Sequence, residues 1–126
     1  MLKYNHYLKE LGIKETDYPF GDNGYEEGDS RYEEDEEGFR SSEFWSLDFT
    51  LACYIYSHLC YFRDNCLVGH PTYMTFEQWQ VIINKMIKAF ELYIKPDNEI
   101  VPSKNKQKQI NYGMKLFIKY FGHLWY

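Results

Sequence analysis

Residues 43–62 read EFWSLDFTLACYIYSHLCYF. Within this stretch Phe44, Asp48, Leu51, Ile55, His58 and Phe62 recur at alternating spacings of four and three, which places all six on one face of an α-helix. Four are apolar, and Asp48 and His58 are the polar members of the seam. The same rhythm returns at Trp79, Ile83, Met86, Phe90 and Tyr93, and again at Ile110, Met114, Phe117, Phe121 and Leu124. Three apolar faces of this kind bury one another. They predict an all-α fold, a small three-helix bundle of Ser42 to Arg63, Thr75 to Lys95 and Ser103 to Trp125, organised around the first of these helices.

Local signals mark the ends of the elements. Ser41 or Ser42 is the expected N-cap of the first long helix, with Glu43 in its first turn. Thr75-Phe-Glu-Gln78 has the form of a capping box, in which the hydroxyl and the amide satisfy each other's free backbone donors. Pro96 breaks that helix, and Ser103 is the expected N-cap of the last one. Gly113 and Gly122 each cost that last helix about 1 kcal/mol relative to alanine, tolerable where they permit close packing. Residues 1–13 form a separate short element, in which Leu2, Tyr4, Tyr7, Leu8 and Leu11 give an amphipathic helix that Gly12 stops.

Between these elements the composition changes. Residues 14–40 hold eleven acidic side chains against three basic ones, a local charge of −8 in a chain of net −5. Tyr18, Tyr25, Tyr32 and Phe39 recur every seven residues there, but Gly21, Gly24, Gly28 and Gly38 argue against a helix. The segment reads as an acidic arm with periodic aromatic anchors, and a tight turn is expected around Asp22-Asn23-Gly24. Residues 41–126 form the helical domain, so the whole is one domain of 126 residues.

The totals limit the function. A net charge of −5 disfavours general nucleic-acid binding, which needs a basic footprint on the phosphates. No apolar run approaches the roughly 18 residues of a membrane span, and the first ten residues lack the apolar core of a signal peptide. An intracellular, non-membrane protein is expected. Cys53, Cys60 and Cys66 are odd in number and lack CxxC spacing, which suits reduced thiols in a core. Histidines 6, 58, 70 and 123 are scattered, so no metal site and no cofactor is expected. GxSxG is absent, and Gly21-Asp-Asn-Gly24 lacks the lysine of a phosphate loop. The chain reads as a binding protein and not an enzyme. With 13 Tyr, 9 Phe and 3 Trp it is rich in the side chains that anchor recognition surfaces as well as cores.

Two sets of residues are candidates for recognition. In the arm, Tyr25, Glu26, Glu27, Tyr32, Glu33, Glu34 and Phe39 join carboxylates to aromatic anchors, suited to a basic groove on another macromolecule. In the bundle, Tyr54, Trp79 and Tyr112 could stack a nucleotide base while Lys104, Lys106 and Lys108 meet its phosphates. Asp48 and His58 are expected as a structural polar seam, with Asp48 meeting a Tyr, Trp, Lys or Arg of a neighbouring helix. Heptad seams suit a homodimer as well as a monomeric bundle.

Residues 43–52 (EFWSLDFTLA), Gly69-His-Pro, Thr75-Phe-Glu-Gln-Trp79, Lys85-Met-Ile-Lys-Ala-Phe-Glu-Leu92 and Gly113-Met-Lys-Leu-Phe-Ile-Lys-Tyr-Phe121 occur in an order that resembles small proteins of tailed bacteriophages. The resemblance covers roughly residues 39–126 and leaves out the acidic arm. It implies a phage origin and action in the cytoplasm of the infected bacterium, and it carries over no catalytic residue. Three functions follow as expectations. The first is an inhibitor of a host macromolecule, such as a defence component, acting through the acidic aromatic surface. The second is an oligomer that sequesters a small nucleotide signal, and the third is a structural or assembly component of the virion.

Overall fold

The computed structural model describes residues 3–15, 17, 33–95 and 103–125. They form an all-α bundle of four helices, α1 (His6–Glu10), α2 (Leu47–Tyr61), α3 (Phe76–Ile94) and α4 (Lys104–Lys119). Two short 3-10 turns, Ser41–Phe44 and Phe121–His123, precede α2 and follow α4. No strand occurs among the described residues. The turn expected around Asp22 to Gly24 lies outside them, as do Tyr25, Glu26, Glu27 and Tyr32.

Several ends form as their local chemistry dictates. The Gln78 amide oxygen accepts from the Thr75 N–H at 2.9 Å, and the Thr75 hydroxyl accepts from the Gln78 N–H at 3.1 Å. Ser103 Oγ accepts from the Lys106 N–H at 3.2 Å, and Asn5 Oδ1 from the Leu8 N–H at 3.3 Å. Each satisfies an orphan donor of a first turn. α1 closes at Gly12, whose φ of +91° an L side chain rarely adopts.

α3 is the hub of the bundle. It packs against α2 on one side and α4 on the other, and no extensive α2–α4 interface joins the outer pair. The expectation that the chain is organised around residues 43–62 is corrected accordingly. α3 buries Trp79, Ile83, Met86, Ile87, Ala89, Phe90 and Ile94, so its predicted face is buried except for Tyr93. α4 presents Ile110 and Gly113 to α3, with Met114, Leu116 and Phe117 partly buried beside them. It ends at Lys119 and not at Trp125, because the Tyr120 N–H bonds back to the Leu116 and Ile118 carbonyls and the chain tightens to 3-10 geometry.

The predicted seam of α2 faces outward. The buried stripe is Ala52, Cys53, Tyr56, Ser57, Leu59 and Cys60, whereas Phe44, Asp48, Leu51 and His58 are exposed and Ile55 and Phe62 half-buried. Small residues, Ala52, Cys53, Ser57 and Cys60, share the buried stripe with Tyr56 and Leu59, and apolar side chains lie on every side of α2, so periodicity alone does not select a face. The helix also starts later than expected. The Glu43 carboxylate accepts from the Arg40 N–H at 3.1 Å and closes a single 3-10 turn, with Arg40 as its N-cap in place of Ser41 or Ser42. α2 then begins after Ser46 and passes at Phe62–Cys66 into one π-helical turn.

α1 is fastened to this frame. Leu8 is fully buried, Leu11 and Ile13 lie in the same core, and the Tyr7 hydroxyl donates to Asp64 Oδ2 at 2.9 Å on the π turn.

Candidate interaction surface

The described end of the acidic segment has a definite shape. Asp35 Oδ1 accepts from the N–H groups of Glu37 and Phe39, both at 2.9 Å. Its own N–H donates to the Phe39 carbonyl at 2.8 Å, and its carbonyl accepts from Gly38 at 3.0 Å. An aspartate that bonds to backbone a few residues ahead is a local turn device. Gly38 completes it with a φ of +90°. Asp35 is therefore consumed inside the loop, while Glu33, Glu34, Glu36 and Glu37 are exposed around it. Glu34 lies 3.9 Å from the Arg40 guanidinium.

Phe39 leaves this loop half-exposed and meets Phe44 edge-on, with ring centroids 6.1 Å apart. Phe44 begins the outward face of α2, which continues through Leu47, Leu51, Tyr54 and Tyr61. Acid and aromatic surface are thus contiguous. Where α2 and α4 separate, a groove of about 470 Å³ opens, lined by Tyr54, Ile55, His58, Phe117, Phe121 and Trp125 among others. Its walls are almost entirely apolar.

Asp48 and His58 belong to this outer face and not to a buried seam. The Tyr93 hydroxyl of α3 donates to Asp48 Oδ2, so the carboxylate does meet a tyrosine of the neighbouring helix. That bond, helped by the backbone N–H of Phe49, holds the Asp48 carboxyl below the usual carboxylate range, and the same contact raises the Tyr93 phenol. His58 stacks on Tyr54 with centroids 3.9 Å apart, and its Nδ1 is 2.8 Å from the Tyr54 carbonyl.

The residues proposed for a nucleotide are dispersed. Trp79 is 1% exposed and packs edge-on to Tyr120 at 5.8 Å, so its faces are not open to a base. Tyr54 lies on the outer side of α2, while Tyr112 sits under the Lys85 ammonium at 5.2 Å on the α3–α4 side. Lys104, Lys106 and Lys108 occupy the first turns of α4, where the helix dipole disfavours added positive charge. No cavity found among the described residues gathers these side chains together.

A second, polar cleft of about 390 Å³ lies between α1, the π turn and α3. In it Arg63 Nε donates to Asp64 Oδ1 at 2.8 Å, Arg63 also reaches Asn84 Oδ1 at 3.3 Å, and Lys88 pairs with Glu91 at 2.9 Å. The Arg63 guanidinium holds the Asp64 carboxyl below its ordinary range, and burial together with the Asp64 bond pushes the Tyr7 phenol up to about 12. The Tyr7–Asp64 bond pins α1 to the π turn, and Arg63–Asn84 ties that turn to α3. All three cysteines are free thiols, and burial pushes Cys53 up to about 12. Among the described residues no cluster of three or more His, Cys, Asp or Glu side chains could hold a metal, and no helix is long and apolar enough to cross a membrane.

Comparison of the chain with models of protein families, with curated proteins and with solved structures finds no match in any of the three. The surface therefore rests on its own chemistry. Glu33, Glu34 and Phe39, expected from composition and spacing, are exposed there. Glu36 and Glu37 join them, and Asp35 is the residue that shapes the loop. Leu47, Tyr61 and Trp125 complete the apolar side, and the continuous hydrophobicity of residues 44–62 was the signal for it.

Proposed function

We propose that the chain is a non-enzymatic accessory protein of bacteriophage origin that binds a host macromolecule through its acidic loop and blocks a basic groove there. The observation that carries this reading is the Asp35-closed turn, which sets the carboxylates of Glu33, Glu34, Glu36 and Glu37 outward beside the half-exposed ring of Phe39. Closely spaced negative charge next to an aromatic face has the chemistry of a nucleic-acid strand, phosphate followed by base, presented on a protein. A groove that holds nucleic acid, such as that of a host defence component, has the complementary positive charge. Tyr25, Glu26, Glu27 and Tyr32 extend the same acidic and aromatic composition along the chain.

The test is capture from a bacterial lysate followed by competition. Retention of a nucleic-acid-binding host protein that added duplex DNA displaces, and that the combined substitution of Glu33, Glu34, Glu36 and Glu37 by glutamine abolishes, is the expected result. The helical content of the variant should be unchanged, because none of these four side chains is buried. Retention that persists in the variant, or that DNA does not displace, rejects the reading. A nucleotide sponge and a virion component have no comparable arrangement of side chains to argue from.

A further inference from the structure

The exposed side of α2 has a heptad register, and Phe44 of the preceding turn stands at its N-terminal end. Within α2, Leu47, Leu51, Tyr54, His58 and Tyr61 follow one another at spacings of four and three, the a and d pattern of a two-helix seam, and Phe44 adds a sixth side chain ahead of the break at Ser46. All six are exposed, with Phe44 at 53%, Leu51 at 52% and Tyr61 at 56%. α3 lies on the other side of α2, and among the described residues no helix packs extensively along the seam. Phe121 and Trp125 extend the patch across the α2–α4 groove.

At about 200 Å² for a large aromatic or aliphatic side chain, these exposed fractions amount to roughly 800 Å² of surface. An ordinary monomer rarely leaves that much contiguous apolar area in water, and roughly 800 Å² is what each partner contributes to a stable protein interface. We infer that a second copy of this chain covers it, with the two α2 helices antiparallel about a two-fold axis. The register of α2 matches itself in that orientation, placing Leu47 opposite His58 and Leu51 opposite Tyr54 of the second copy.

Charge selects the direction. A parallel pair sets one acidic loop of residues 33–37 beside the other. The antiparallel pair carries the two acidic loops to opposite ends of a helix roughly 20 Å long. This pairing leaves Glu33, Glu34, Glu36 and Glu37 clear of the seam, so it stands or falls independently of the function proposed for the loop.

Sedimentation equilibrium on the full chain reads the inference directly. A mass of twice 15.3 kDa is expected, with the single-chain mass recovered in Leu51→Glu at unchanged helical content, since Leu51 is exposed in the single chain. In a Cys66→Ser background, mixing Leu47→Cys with His58→Cys should give the mixed disulfide under mild oxidation. A Leu47→Cys self-disulfide in its place overturns the antiparallel register. A single-chain mass up to near-millimolar concentration overturns the dimer, and so does a dimer that survives Leu51→Glu undiminished.

Discussion

Gly113 of α4 faces Ala89 of α3 so closely that a Cβ built on the glycine stands 2.3 Å from the alanine Cβ and 2.4 Å from the Lys85 carbonyl oxygen. One of those neighbours is backbone and cannot swing away. The hub helix and its α4 neighbour are therefore held at a distance that only glycine allows at this position.

Gly113→Ala should lower stability by about 1–3 kcal/mol or more, because the two helices must separate around a core at native density. Gly122 has nothing within 4 Å of the added carbon and no positive φ, so Gly122→Ala should be neutral or stabilising by up to about 1 kcal/mol. Urea midpoints of the two variants measure the contrast. Equal midpoints refute the close α3–α4 approach.

The Asp48–Tyr93 bond gives the fold an acid-sensitive tie. Because the native Asp48 carboxyl sits below its unfolded value, the stability it contributes is present above about pH 4 and is lost as pH falls through the native value. Both partners are solvent-exposed, so screening keeps the contribution below about 1 kcal/mol. Tyr93→Phe should flatten the acid limb of a stability–pH curve. An acid limb identical to that of the unsubstituted chain contradicts the contact.

At the other extreme of pH, Tyr7 titrates from a raised position. A phenol whose native value is about 12 contributes stability that is fully present below about pH 10 and is lost as pH rises toward 12. Since Tyr7 anchors α1 to Asp64, Tyr7→Phe should remove part of the alkaline loss. Chemical denaturation of both proteins between pH 9 and 12 shows whether the two curves converge as expected.

The thiols report the inverted face of α2. Cys53 and Cys60 are buried on its inner stripe, where burial raises both thiols, and Cys66 on the π turn is partly exposed. A disulfide reagent at neutral pH should therefore react rapidly with one thiol per chain under native conditions and with three in denaturant. Rapid reaction of Cys53 places the wrong stripe of α2 against α3.

What this sequence determined alone was the set of elements and many of their ends. Thr75 with Gln78, Ser103, Asn5 and Gly12 act on backbone groups within four residues of themselves, so their effect does not depend on the rest of the fold. The buried face of α3 was legible for a similar reason, because its apolar stripe has a polar side opposite it. The acidic character of residues 33–37 was likewise plain in the composition.

Tertiary structure decided which side of α2 turns inward, since apolar residues surround that helix and only the packing of Ala52, Cys53, Tyr56, Ser57, Leu59 and Cys60 into the bundle breaks the tie. It decided that Trp79 fills the core while Tyr54 and Tyr61 stay outside, a distinction that side-chain type does not carry. It also decided that α3 and not α2 is the hub. Capping is settled by neighbours in the chain, but the choice of face depends on contacts between residues dozens of positions apart, whose packing volumes no local pattern encodes.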